Sequence, residues 1–208
     1  MLKNKSLAFP YLVWMTVFIA VPLLIVVYFA FTTRSGAFTL ENITALGDYT
    51  TVFVRSLLLA AIATVICLVL AFPVGYWLSR LPVSSQRMMQ MLVILPMWMN
   101  FLLRTYAWMS LLENNGLINR FLGLFGIGPF EMINTQGAVV LGMVYNYLPY
   151  MILPLYTAMV KIDGSIIEAA QDLGADSLRG LGRVLIPLAK PGIATGITKV
   201  FVPSGSTF

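Results

Sequence analysis

Two sets of side chains in this sequence have the types and spacing to do chemistry, and neither is a catalytic set. The first lies at 161–190, KIDGSIIEAAQDLGADSLRGLGRVLIPLAK, which carries eight charged residues in a chain with only 13 Lys and Arg and 8 Asp and Glu. Ser165 stands three residues before Glu168, the spacing of a capping box, so a helix is expected from about Ile166. Ile166, Ala169, Ala170 and Leu173 give it an apolar face, Glu168, Gln171 and Asp172 a polar one, and Gly174 can end it in the left-handed conformation. Ser177 or Asp176 then caps a second helix, in which Leu178, Leu181 and Leu185 share one side and Arg179 and Arg183 another, with Pro187 marking the approach to its end. Two short helices broken by glycine between apolar runs predict a docking knob at a membrane surface. The plainer alternative is an amphipathic interfacial hairpin with no partner.

The second set is polar and aromatic and falls inside apolar runs. Asn100 and Arg104 are four residues apart and share a helical face with Met97 and Trp108. Asn146 lies among Tyr145, Tyr147, Pro149 and Tyr150, an amide with several electron-rich rings within about two turns. A cation could use those rings, since a cation–π contact contributes roughly 0.5–2 kcal/mol without a buried carboxylate. Trp98, Asn100, Tyr106, Tyr145, Asn146 and Tyr150 are therefore the candidate path for a solute. For Trp98, Trp108 and Tyr106 an interfacial aromatic belt is the alternative. Arg104 is not assigned, because it would repel a cation and can snorkel to the nearer boundary.

Other chemistry is poorly supplied. There is no histidine and one cysteine, Cys67, in an apolar run, so a Cys/His metal cluster and an internal disulfide are excluded. No G-x-x-x-x-G-K phosphate loop and no paired intramembrane acids occur, which argues against an enzyme. The net charge of +5 is scattered in short loops and forms no nucleic-acid patch.

These residues need apolar elements to hold them, and 59% hydrophobic against 10% charged residues places the chain in a lipid bilayer. A hydrocarbon core of about 30 Å takes ~20 residues of helix. That rule gives spans at about 8–31, 56–78, 88–112 and 137–160, with a fifth begun at 191–208 and incomplete, all within a single domain. The third is interrupted by Pro96, Asn100 and Arg104; 32–55 reads as a surface loop and the stripe Leu117, Ile118, Phe121, Leu122 and Phe125 as an interfacial helix. The first apolar run is too long for a signal peptide and is expected to stay uncleaved. Pro22, Pro73, Pro96, Pro149 and Pro154 fall within spans, where freed carbonyls favour the bundle interior.

Short cytoplasmic loops carry the Lys and Arg excess. With the N-terminus inside, eight basic residues (Lys3, Lys5, Arg80, Arg87, Lys161, Arg179, Arg183 and Lys190) face the cytoplasm and four (Arg34, Arg55, Arg104 and Arg120) face out. That orientation puts 161–190 in the cytoplasm. Lys199 falls at membrane depth, where a charge costs about 3 kcal/mol by insertion scales and needs a partner, snorkelling or another local depth.

Glu168-Ala169-Ala170, Gly174, Val184 and Ile186-Pro187 stand in the order and spacing of a motif that resembles the EAA loop of permease subunits in bacterial ABC importers. FTLENITAL at 38–46, LPMWMNFLLRTYAW at 95–108, NNGLINRFLGLFGI at 114–127 and GMVYNYLPYMILPLYTAM at 142–159 are similar to the spermidine/putrescine branch of that family. The resemblance implies an all-α, polytopic transmembrane bundle of the type I importer (MetI-like) fold, here truncated within the fifth helix. It implies a non-catalytic subunit in a bacterial inner membrane, binding no cofactor itself, with ATP and Mg on a partner ATPase dimer. A second homologous permease subunit and an extracytoplasmic polyamine-binding protein complete the expected assembly. Glu168, Ala169, Ala170, Gly174, Ile186 and Pro187 would couple the bundle to the ATPase, with Glu168 paired to an ATPase arginine. A permease for another small solute, such as an anion or metal chelate, and an ion-coupled secondary carrier are the alternatives.

Overall fold

The computed structural model describes residues 5–33, 36–172, 176 and 180–207. The chain divides into two compact units, 1–54 and 55–208. In the first, α1 (Lys5–Met15) passes through a π-helical turn, Thr16–Ala20, into α2 (Val21–Ala30). Pro22 has no N–H to give to the preceding turn, and the helix widens immediately before it, with the Val21 amide donating to the Thr16 carbonyl. The side chain of Asn42 then donates to the carbonyls of Phe29 and Thr32, each at 3.1 Å, and so closes the end of α2. The expected loop at 32–55 is more ordered than its composition predicts: an isolated Thr32–Phe38 bridge, α3 (Glu41–Thr44) and a 3₁₀ turn, Ala45–Tyr49, lead to α4 (Thr50–Arg80).

The second unit contains the rest of α4, then α5 (Val83–Trp98), α6 (Phe101–Leu112), α7 (Leu117–Gly123), α8 (Gln136–Met159), α9 (Gly164–Asp172) and α10 (Ile186–Thr207), the last entered through a π turn at Leu181–Leu185. Its core is formed by α4, α8 and α10: Cys67 and Ala71 meet Met151, Ile152, Leu155 and Met159, with Leu185, Ala189 and Val200 closing the cluster. Between membrane helices close approach supplies the attraction, and small residues permit it. Gly75 lies against Leu155, Gly192 against Ala158 and Gly196 against Met151. Hydroxyls on these helices are satisfied by their own backbone: Thr64 donates to Ala60 O and Thr198 to Ala194 O.

Among the described residues, four helical stretches are long and apolar enough to cross a membrane: Phe9–Ala30, Thr50–Arg80, Gln136–Met159 and Gly182–Ser206. Two of the five expected spans take a different form. The run 88–112 is two helices rather than one, because Met99 and Asn100 are extended (ψ 145° and 132°) and the Asn100 side chain caps α6 by accepting the Leu102 amide at 2.8 Å. The run expected to start at 191 is already helical at the π turn Leu181–Leu185, which widens the helix immediately before Pro187 as Thr16–Ala20 does before Pro22. The helix therefore runs on through Pro187 rather than ending near it.

Candidate functional site

The polar segment 161–190 is rooted at the end of α8. Its first helix, α9, is capped by Asp163 and not by the Ser165/Glu168 box: the Asp163 carboxylate accepts the Ser165 amide at 3.1 Å and its carbonyl accepts the Ile166 amide at 3.2 Å. Ile167 packs against the core, while Ile166 and Ala169 lie outward and Ala170 is half-buried, so the helix does not bury the face expected from Ile166 and Ala169. Glu168 is exposed, as are Ile186 and Pro187 at the head of α10. Gly174, with Leu173, Ser177, Leu178 and Arg179, lies outside the described residues. The exposed Glu168 carboxylate beside the exposed Ala169 gives this turn an approachable acidic surface.

Side chains that the sequence did not single out anchor this segment. The Arg80 Nη1 donates to the Ile162 carbonyl at 3.4 Å, and its guanidinium lies 5.4 Å from the centre of the Tyr76 ring. Gln86, buried, donates to Leu81 O at 2.7 Å and Ser79 O at 3.3 Å and accepts the Tyr156 hydroxyl at 2.8 Å. A glutamine among apolar residues signals a need for partners, but nothing in the sequence pairs it with a tyrosine 70 residues away.

The six residues of the candidate path are not gathered into one pocket. Trp98, at the end of α5, is 86% exposed, and Tyr106 is exposed on α6. Asn100 is committed to its cap and does not join a continuous polar stripe with Met97. Around α8 the grouping is tighter. Tyr145 meets Trp108 edge to face, with ring centres 5.3 Å apart, and Tyr147 and Tyr150 are 6.2 Å apart. Asn146 is buried, and its Oδ1 has no hydrogen-bond partner. One turn on, Pro149 has no N–H to return to the Tyr145 carbonyl, and Pro154 likewise has none for Tyr150. The middle of α8 is thus rich in acceptors and rings and holds no acid, an environment that favours a hydrogen-bond-donating cation. The Arg104 Nε is also buried and unpaired, on the α6 face that carries Trp108.

A groove of about 660 Å³ runs between α8 and α10, lined by Pro154, Thr157, Lys161, Ile166, Thr195 and Lys199 among others, none of them acidic. Both threonine hydroxyls are committed, Thr157 to Leu153 O and Thr195 to Pro191 O, each at 2.8 Å. Among the described residues no cluster of His, Cys, Asp and Glu could hold a metal ion.

No protein-family model matches the chain. It is similar to the spermidine/putrescine transport system permease protein PotB of Escherichia coli, 38% identical over 205 residues that cover 94% of this chain and 74% of the relative. PotB of Haemophilus influenzae matches at 38% over 94% of this chain and 72% of its own length. The inner membrane ABC transporter permease protein YdcU of Escherichia coli is 33% identical over 76% of this chain and 56% of its own length. Among solved structures, a chain of the bacterial alginate ABC transporter, crystallised with an alginate pentasaccharide-bound periplasmic protein, superposes with a TM-score of 0.72 at 16% identity, covering 91% of this chain and 67% of that one. A second crystal structure, of a bacterial ABC transporter involved in import of the acidic polysaccharide alginate, gives a TM-score of 0.68 at 17% identity over 91% of this chain and 68% of that one. The fold is therefore that of ABC transporter permease chains, an all-helical membrane bundle.

Proposed function

The chain belongs to the family of ABC importer permease subunits that contains PotB, and from that premise we propose that it passes polyamines such as spermidine and putrescine across a bacterial inner membrane. It does no bond chemistry of its own. ATP, with Mg, is hydrolysed by a partner ATPase dimer in the cytoplasm, where the N-terminus and 161–190 also lie. A second permease subunit completes the pathway, and an extracytoplasmic binding protein delivers the solute. ATP binding closes the motor, α9 moves with it, and the bundle exchanges an outward-facing cavity for an inward-facing one. Such coupling needs contacts that differ between the two states. Glu168 supplies one by pairing with an ATPase arginine, with Ala169 and Ala170 allowing close approach and Gly174 setting the angle beyond.

One observation carries the choice of solute: the buried, unpaired Oδ1 of Asn146, beside aromatic rings on a proline-interrupted helix with no carboxylate in the group. A protonated amine brings N–H donors to an acceptor that otherwise has none, whereas an anion would bring more acceptors.

The test is uptake of labelled spermidine into proteoliposomes holding the assembled transporter. Uptake should require ATP, and Asn146→Leu should raise the half-saturating concentration about tenfold, the equivalent of roughly 1.4 kcal/mol. Uptake driven by an imposed membrane potential without ATP would overturn the reading, and an unaltered half-saturation would remove Asn146 from the path.

A further inference from the structure

Where α8 gives way to α9, side chains from α4, α5 and α8 form one hydrogen-bonded brace. Gln86 uses both protons of its amide, on Leu81 O and Ser79 O, and so closes the turn between α4 and α5. Its Oε1 is held by the Tyr156 hydroxyl of α8. Arg80, the last residue of α4, reaches the Ile162 carbonyl while its guanidinium rests on the Tyr76 ring. Ile162 directly precedes Asp163, the cap of α9, and its own side chain is buried in the core. The turn between α4 and α5 is thus tied to the root of α9 at one point and to the last turns of α8 at another.

Apolar contacts at this end can slide, because dispersion has little directional preference. Hydrogen bonds to fixed carbonyls do not slide, and breaking those of the buried Gln86 would leave its amide unsatisfied. Without the brace, the short link from Ile162 to Gly164 would absorb a displacement of α9 by backbone rotation, Gly164 being the residue that resists it least. With the brace, a displacement of α9 is resisted at Ile162 by Arg80 of α4, and the adjoining ends of α5 and α8 are tied together by Gln86 and Tyr156.

We propose that Arg80 and Gln86, the latter through Tyr156, are positioning residues that make α9, α4, α5 and α8 respond to the ATPase as one body. The proposal rests on the reading of 161–190 as the element that the ATPase moves. It assigns these residues no contact with the solute and none with the ATPase.

The experiment measures ATP hydrolysis and labelled spermidine uptake together, in proteoliposomes of the assembled transporter, for Tyr156→Phe, Arg80→Ala, Arg80→Lys and Glu168→Arg. Tyr156→Phe removes a single hydroxyl and leaves the packed ring in place, so its assembly should match the parent by size-exclusion chromatography. Tyr156→Phe and Arg80→Ala should hydrolyse ATP at the parent rate while solute moved per ATP falls several-fold, and Arg80→Lys should recover part of that ratio. A merely structural role would lower the yield of assembled transporter and leave the ratio unchanged. Parent ratios in correctly assembled Tyr156→Phe and Arg80→Ala, with Glu168→Arg inactive, overturn the brace alone. Normal uptake by Glu168→Arg overturns the brace together with the reading beneath it.

Discussion

Gly192 of α10 lies so close to Ala158 of α8 that a Cβ on the glycine would stand 2.6 Å from the alanine Cβ and 2.8 Å from the Pro154 carbonyl oxygen. The alanine and the carbonyl belong to the opposing helix itself, so neither can swing aside as a long side chain would.

Gly192→Ala should therefore destabilise the bundle, although alanine is the better helix former by about 1 kcal/mol. Overpacking costs roughly 1–3 kcal/mol and works against that gain. Gly142→Ala supplies the contrast, since nothing lies within 4 Å of a Cβ there and only the propensity gain remains. Thermal denaturation of the assembled transporter in detergent should show a lower midpoint for Gly192→Ala and an equal or higher one for Gly142→Ala. The same sign for both would mean that the approach of α8 and α10 does not depend on this glycine.

Asn100→Ala should cost about 1 kcal/mol, the usual value of a lost N-terminal cap, whereas Asn100→Asp keeps an acceptor for the Leu102 amide and should be near neutral. The two variants separate the roles weighed for this residue. A solute ligand within a polar stripe predicts changed uptake affinity at constant stability, and a cap predicts the reverse. Denaturation midpoints and half-saturating spermidine concentrations, measured on the same preparations, decide between them.

Asn100 also marks how far the sequence could be read. α4 and α8 were legible because an apolar run of sufficient length needs only composition to declare it, and the structure holds helices at Thr50–Arg80 and Gln136–Met159. The run at 88–112 is as apolar, but one side chain competing for a backbone amide divides it, and hydropathy does not register that competition. At 161–190 a helix start was legible but assigned to Ser165, whereas Asp163, two residues earlier and not among the expected caps, took the role. Pro187 was misleading for another reason: a proline signals a helix end, but a π turn just before it lets the helix continue, as at Pro22, and sequence pattern does not show that widening. The Gln86–Tyr156 bond was out of reach because it is long-range and neither residue belongs to a motif. Within the proposed solute path, composition named the Tyr145–Tyr150 group alongside Trp98 and Tyr106, and the exposure of the last two is visible only in the structure.

The proposed polarity can be checked without transport. Asp172, on α9, and Glu131, in the connection to α8, are both exposed, and the one native cysteine, Cys67, is buried and should give no background. In intact cells a membrane-impermeant maleimide should label Glu131→Cys and spare Asp172→Cys, which should react only after permeabilisation. Labelling of Asp172→Cys from outside would reverse the bundle and put α9 beyond the reach of a cytoplasmic motor.

Lys199 gives the last prediction, because it is exposed on α10 beside the groove and within the stretch Gly182–Ser206 that is apolar enough to cross the membrane. No acidic residue lines the groove, so among the described residues the ammonium has beside it only neutral acceptors such as the hydroxyl oxygens of Thr195 and Thr157, which compensate it weakly. Replacing it by methionine, which keeps an unbranched side chain, should favour insertion of α10 by about 3 kcal/mol. A glycosylation acceptor placed beyond α10 reports the inserted fraction in microsomes, and Lys199→Met should raise that fraction while Lys199→Glu leaves it low. Equal fractions for the parent and Lys199→Met would mean that the amine does not reside at hydrocarbon depth. In that case α10 must sit nearer a boundary, with the lysine reaching headgroups past Thr195, and the depth assigned to the facing turns of α8 would shift with it.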